Sequence, residues 1–388
     1  MIPTVYFGSA HQARLDAKET LPAKLEIILE KLRLRERVKG ELVVLKMHVG
    51  NNMIYSTIHP IFVRRVVQAI KDGGGKPFIA DVDWDVAGAE TRAYTTETVG
   101  CPIYPAGGLK DTHFVTKEKS YKNLKEWKVA GLINDATFIV NFAHVKGHPS
   151  CGFGGAMKNL ALGCMVGETR GAIHDAHHFD RYWFSEKCSD PKLLKKIIKS
   201  CPFGAIVMDK HKENELHIHF EQCNQCMRCL KVAPPGSLKI EKVNFESFQE
   251  AAANSVSVVL STFERKKAVH LDLVTHQSPV CDCFGFTSLP ILPDVGIYGS
   301  DDVIAVDTAV LDATSKMKLI EENLPTSLEV HTREGHPYQQ LHGPMKDPYH
   351  MLRYGEALGL GSMKYKLVDV MPVENISPAA LGYIKARS

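Results

Sequence analysis

Ten cysteines fall unevenly along this chain of 388 residues, and four of them restrict the fold more than any other feature. Cys201-Pro202 is followed by Cys223-x2-Cys226-x2-Cys229. A C-x2-C-x2-C-x3-C-P run holds a cuboidal iron–sulfur cluster, and where two such runs occur the fourth Cys of each ligates the other run's cluster. Here one run keeps only its closing Cys-Pro. The other keeps its three leading cysteines and reads Val232-Ala233-Pro234 where a fourth Cys-Pro would stand. The survivors are the full ligand set of one of the two clusters. The spacing therefore predicts a single [4Fe–4S] cluster on Cys201, Cys223, Cys226 and Cys229.

Zinc is the main rival. Zinc sites usually arrive as two separated C-x2-4-C or Cys/His pairs, whereas three cysteines at strict three-residue steps let one tight turn face three iron corners. Simple burial of thiols fits less well, because these cysteines stand among Lys, Gln, Asn and Glu. Net charge is +3, with no basic patch of the kind that tracks nucleic acid. The start, MIPTVYFGSAHQARLDAK, has no basic n-region and no apolar core, so it does not read as a signal peptide. No run approaches the ~20 apolar residues that span a bilayer. Reduced, metal-binding cysteines in a cytoplasmic protein are the expectation.

The rest of the chain reads as α/β. Leu21, Leu25, Ile28, Leu29 and Leu32 have helical spacing within residues 19–36, Leu42–Leu45 reads as a buried strand, and Phe62, Val63, Val66, Val67 and Ile70 mark a second amphipathic helix. Gly73-Gly74-Gly75 closes that helix, and a strand beginning at Pro77 leads into Asp81. Strand–helix–strand order implies parallel pairing. A further strand runs through 137–142. Beyond the cysteines, 247–254 reads as helix, Val256–Leu260 and Val269–Val274 as strands, and 301–316 as helix. The expected architecture is a mainly parallel sheet flanked by helices, made from residues 1–185 and 246–388, with a ferredoxin-like α+β module carrying one cluster inserted at 186–245.

Open α/β sheets bind ligands at the carboxyl ends of their strands. Three predicted strands end in polar pairs two residues apart, Lys46 with His48, Asp81 with Asp83, and His144 with Lys146. Strand alternation puts each pair on one face. His148 then precedes the loop Gly152-Phe153-Gly154-Gly155, which leads to Lys158 and Asn159. Glycines allow backbone N–H groups close to a ligand, and Lys158 adds a cation near a predicted helix start, so a carboxylate or phosphate would suit. Lys46, His48, Asp81, Lys146, Gly154, Gly155 and Asn159 are the expected substrate contacts. His144, His148 and Lys158 are the expected proton donors or charge stabilisers. Cys281-Asp282-Cys283 is a third feature, either a pair of reduced thiols lining a loop or a second metal or cluster site shared with Cys151, Cys164, His148 or His174.

Taken together these segments resemble domain-of-unknown-function family 362, many of whose members are described as iron–sulfur proteins. The resemblance covers nearly the whole length. It rests on Val44-x-Lys46-x-His48, Ile61-Phe62-Val63, Gly74-Gly75-Lys76-Pro77-Phe78, His144-Val145-Lys146-Gly147-His148, Gly152-Phe153-Gly154-Gly155-Ala156-Met157-Lys158-Asn159-Leu160, Cys281-Asp282-Cys283 and Asp301-Asp302-Val303. Family members often carry a complete ferredoxin pair, so keeping one cluster's ligands is a departure. Trp84-Asp85-Val86 after Asp83 is another, where Thr/Asn-rich text is usual.

The leading functional expectation is an iron–sulfur oxidoreductase acting on a small anionic substrate and exchanging electrons with a redox partner protein. Four thiolates saturate the cluster's iron corners, which favours electron transfer over Lewis-acid catalysis. The alternatives are a non-catalytic electron carrier or redox-sensing partner, and an enzyme with a second metal at Cys281 and Cys283. No flavin or nicotinamide fingerprint is present, since the Gly loop lacks the strand–G-x-G-x-x-G–helix form.

Overall fold

The computed structural model describes residues 2–371 apart from 213, 224, 327 and 331. Its centre is one eight-stranded sheet built from β1 (Thr4–Ser9), β2 (Leu42–Lys46), β3 (Lys76–Asp81), β4 (Ile103–Pro105), β5 (Phe138–His144), β6 (Ala268–Val274), β7 (Gly296–Ser300) and β8 (Lys366–Asp369). The order across the sheet is β8-β1-β7-β6-β5-β2-β3-β4. Pairing is parallel throughout except on the two sides of β7. The fold is α/β. Every residue of β5 is buried, as expected for a central parallel strand covered on both faces.

Chain order explains where a site can form. From β2 the chain steps outward through β3 to β4, then returns to β5 on the other side of β2. Strand order therefore reverses between β2 and β5, and the connections leave opposite faces there, opening a crevice at the carboxyl ends. Lys46, Asp81 and His144 are the last residues of β2, β3 and β5.

The helix Pro60–Asp72 follows its apolar spacing, burying Val63, Val66, Val67 and Ile70. Pro60 starts it, the His59 side chain accepts from the Ile61 N–H, and Gly73 ends it. The expected helix over 19–36 is broken: Leu21–Lys31 stops before Arg33, which takes φ 54°, and a short turn of helix follows at Leu34–Arg37. The expected strand Val256–Leu260 is the end of a 19-residue helix, Lys242–Leu260. Its β-branched residues mimic a strand locally. Burial on almost every side, including Ala251, Ala252, Ala253, Val256, Val258 and Val259, overrides that preference because tertiary packing outweighs propensity.

Two apolar clusters cover the main sheet. A third, smaller one gathers Trp183, Leu194, Ile197, Ile206, Ile218, Phe220, Cys229 and Phe245 around a helix, Pro191–Lys199, and an antiparallel strand pair, Ile206–Met208 with Leu216–Ile218. Among the described residues no helix is long and apolar enough to cross a membrane.

Candidate functional site

The crevice at the reversal holds a cavity of about 120 Å³. Of the residues expected to contact substrate, Lys46, His48, Asp81, Lys146, Gly154, Gly155 and Asn159 all line it, together with Lys158, Cys281 and Cys283. His144 and His148 are not in this lining: His144 pairs with Asp282, which also holds the lining Lys146, and His148 lies against the lining Cys281. Asp83 departs from the expected face. The strand ends at Asp81, a helix starts at Asp83 (Asp83–Ala87), and Asp85 comes round to the cavity instead.

Lys46 is a strut rather than a free cation. Its Nζ donates to Asp81 Oδ1 at 3.1 Å, Asn159 Oδ1 at 3.0 Å and the Met47 carbonyl at 3.1 Å, which uses all three ammonium protons. Asn159 in turn donates to the carbonyls of Lys46 and Phe142 and to Asn141 Oδ1, tying the helix Ala156–Gly163 across the ends of β2 and β5. A Cβ at Gly163 would collide with Lys46 Cε and Nζ. Gly163→Ala should push Lys46 off Asp81 and destabilise the protein by about 1–3 kcal/mol, the range for overpacking a tight site. An unchanged thermal midpoint would show the wall to be softer than its bonds imply.

Part of the backbone beyond the Gly loop is engaged elsewhere. The N–H groups of Ala156 and Met157, first in their helix, donate to Asp307 at 2.7 and 2.9 Å. Gly155 cannot carry a side chain, because its Cβ would strike Asp307 Oδ1 and the Phe153 ring. These two N–H groups of the helix end are thus capped from within and are not available to an anion in the cavity.

The charged side chains come as pairs. Asp282 Oδ2 holds His144 Nδ1 at 2.9 Å and Lys146 Nζ at 3.0 Å. Burial would push the Asp282 carboxyl up, but His144 and Lys146 hold it well below the usual carboxylate range. Lys158 Nζ lies 3.3 Å from Cys281 Sγ, which also accepts from the Cys283 N–H at 3.4 Å. The Cys283 thiol, then Lys158 and His148, hold the Cys281 thiol well below its ordinary value against burial. His148 is neutral: burial and Lys158 pull it down to about 4. Its Nδ1 accepts from the Ser150 N–H, which leaves Nε2 to carry the proton facing Cys281. Arg170 pairs with Asp111 at 3.1 Å and stacks under Trp84 at 4.5 Å.

At the other wall, His48 Nδ1 lies 2.8 Å from Asp81 Oδ2 and 3.3 Å from Asp85 Oδ2. Burial opposes charge on His48, yet the two carboxylates raise its pKa. Burial lifts Asp85 to about 7, with Asp81 adding to the rise and His48 opposing it.

The four spaced cysteines meet elsewhere, around a second and smaller pocket. Cys201, Cys223, Cys226 and Cys229 line it with Phe203, Ala205, Ile206, Ile218, Met227 and Ile240. Within the loop Gln225 and Met227 take φ of 62° and 58°, left-handed backbone that side chains normally avoid, so the loop spends strain to converge its thiols. The Ala205 N–H donates to Cys201 Sγ at 3.3 Å. Burial and the neighbouring Cys223, Cys201 and Cys226 push the Cys229 thiol up to about 12. Lys346 donates to the Cys223 carbonyl.

An aromatic column runs between the two pockets. The Cys223 N–H donates to the Phe220 carbonyl, and the Phe220 ring is 5.7 Å from His177. His177 stacks on Phe248 at 4.7 Å and 2°. Phe248 meets His174 at 5.3 Å and His148 at 6.1 Å, and His174 lines the larger cavity.

A family model described as Domain of unknown function (DUF362) matches residues 43–312. The chain belongs to this family. The match spans both the strand-end cavity and the cysteine pocket, so each is built from family sequence. Among curated proteins none matches this chain. Among solved structures, the lactate racemase apoprotein from Thermoanaerobacterium thermosaccharolyticum is similar at 13% identity and a TM-score of 0.28, over 48% of this chain and 42% of that one.

Asp85, Asp282 and Arg170 were not singled out from the sequence as site residues. Asp282 stood between two cysteines that were. Asp85 carried no clear signal, because Asp81 ends a strand and the helix that brings Asp85 round begins only at Asp83.

Proposed function

We propose that this protein is an iron–sulfur oxidoreductase that holds one [4Fe–4S] cluster on Cys201, Cys223, Cys226 and Cys229 and acts on a small anionic substrate in the strand-end cavity. The observation that carries the reading is the convergence of all four cysteines on one pocket walled by aliphatic and aromatic side chains. The donor set suits the cluster better than zinc. A tetrahedral zinc with bonds of ~2.3 Å brings its thiolates to ~3.8 Å from one another. Among the described residues, the only group of three or more metal-capable side chains with ligand atoms all within 4.8 Å is His48, Asp81 and Asp85, not the cysteines. Three cysteines at strict three-residue steps, with Cys201 before Pro202, fit a cuboidal group.

When bound, the cluster would supply electrons one at a time, drawn from a redox partner protein. The chain's own residues do the rest. Lys146 and Lys158 each spend one ammonium proton on Asp282 or Cys281 and have others to give a carboxylate or phosphate in the cavity. His174, pulled down to about 4 by burial and Lys158, is a neutral ring facing the same space. His148 keeps the proton on Nε2 toward Cys281. The column Phe220–His177–Phe248–His148 packs the interval between the pockets with rings and excludes water from it, which supports short-range electron exchange between them.

Iron and acid-labile sulfide, with EPR before and after dithionite, test this on the full chain purified without oxygen. The expected result is about four irons per chain and a reduced S = 1/2 signal, both lost in Cys223→Ser. Close to eight irons would put a second cluster at Cys281 and Cys283. Zinc without iron would overturn the reading.

A further inference from the structure

We infer that His48, Asp81 and Asp85 form a binding site for a divalent transition-metal ion, distinct from the cysteine pocket and open to the strand-end cavity. The three offer an imidazole nitrogen and two carboxylate oxygens, all within 4.8 Å of one another. His48 Nδ1 lies 2.8 Å from Asp81 Oδ2 and 3.3 Å from Asp85 Oδ2. An octahedral ion with bonds of ~2.1 Å sets adjacent ligands ~3.0 Å apart, so these two separations match edges of one face of such a polyhedron. A cation bound at His48 Nδ1 takes the place of any proton on that nitrogen.

A second observation points the same way. Asp85 is 1% exposed, and its Oδ1 is buried with no hydrogen-bond partner. Buried carboxylate oxygens are normally satisfied. The other charged groups around the cavity do not serve it. Lys46 bonds to the far oxygen of Asp81, Lys146 to Asp282, and Arg170 to Asp111, while Lys158 faces Cys281. Arg92 donates to the Asp85 backbone carbonyl, not to its carboxylate. Asp85 is left with His48 as its one side-chain partner, and His48 Nε2 is itself buried and unpartnered.

The surroundings hold the ligands as a metal site requires. Lys46 holds the far oxygen of Asp81, Oδ1, at 3.1 Å, and the Val49 N–H donates at 2.9 Å to Oδ2, the oxygen beside His48; such outer contacts orient ligands and tune affinity. One imidazole with two carboxylates suits Mn²⁺, Fe²⁺ or Zn²⁺. Three protein ligands on one side leave positions free on the side of the cavity, where a water molecule or an anionic substrate could complete the shell. The site does not depend on the cluster, so the two readings can fail separately.

Mn²⁺ is the probe, because thiolates compete poorly for it. The full chain, purified without oxygen and freed of loosely bound metal by chelation, is titrated with Mn²⁺ while EPR follows the free ion. One Mn²⁺ per chain is expected, with affinity lowered at least 10-fold in Asp85→Asn and in His48→Gln, and unchanged in Cys281→Ser. Iron and sulfide content and the thermal midpoint are read in the same samples, so that a folded Asp85→Asn variant with its iron intact gives a clean comparison. Absence of stoichiometric Mn²⁺ binding by the wild-type chain up to millimolar ion would overturn the inference. So would equal affinity in wild type and both ligand variants.

Discussion

Replacing Asp282 with Ala should cost about 3–5 kcal/mol of stability, the penalty for stranding buried charge when one partner of an ion pair is removed. Asp282 has no exposed surface, and its Oδ2 holds both His144 and Lys146. Without it, Lys146 is a buried ammonium with no counter-charge, and His144 keeps only the Thr275 carbonyl. The effect should be one of charge and not of volume. A double variant, Asp282→Ala with Lys146→Met, should therefore regain part of the loss. Urea unfolding of the two single variants and the double variant gives the coupling directly. If the double variant loses the sum of the single losses, the pair is not coupled as described. The depressed carboxyl also fixes the sign of the pH dependence. Its stabilisation is present above the ordinary Asp value near ~3.9 and lost as pH falls toward the lower folded value.

The opposite sign is expected at Asp272. This residue is wholly buried beside Asp307, and burial first, then the Asp307 charge, pushes its carboxyl far upward; burial also lifts Asp307 to about 6. The folded pair keeps a proton that the unfolded chain releases above ~3.9. Its contribution is therefore complete below that pH and is lost progressively as pH rises toward the folded values. Asp272→Asn removes the titration while keeping an amide that can donate to Asp307. Wild type and variant should be similarly stable near pH 4. Above that, the variant should gain by about 1.4 kcal/mol for each pH unit until the pair ionises. Denaturant curves at pH 5 and pH 8 decide it, and a stability difference that stays constant with pH would refute the shared proton.

Much of the strand-end cavity could be read from the sequence because its residues sit at element boundaries. Lys46, Asp81 and His144 each end a run of apolar residues, and parallel strands bring such ends to one edge. The helix beginning at Ala156 was equally legible from the Gly loop before it. What could not be read is what each side chain does once there. Lys46 looks like a cation for a substrate, but Asn159 and the Met47 carbonyl, contacts set by three-dimensional packing, absorb its protons. The loop glycines look like an anion cradle, yet Asp307, some 150 positions away, takes the helix N–H groups first. Asp85 was hidden because alternation was carried past the end of β3 onto Asp83, where the backbone had already turned helical. The long helix Lys242–Leu260 was divided in two because Val256, Val258 and Val259 favour strands in isolation, and only their burial within the assembled fold decides otherwise.

The pairing of charges around the cavity has a kinetic consequence. Lys46 answers Asp81, Lys146 answers Asp282, Arg170 answers Asp111, and Lys158 lies against Cys281 Sγ, whose thiol is held well below its ordinary value. Seen from a distance these are near-neutral doublets, whose fields cancel over a few ångströms and are screened further within a Debye length of ~8 Å in physiological salt. An arriving anion is therefore not drawn in by long-range attraction, unlike ligands of proteins whose clefts carry one sign of charge. It meets the lysine ammonium groups only at contact. Encounter should then be nearly insensitive to ionic strength, and selectivity rests on how well a ligand shares Lys146 and Lys158 with the partners they already have.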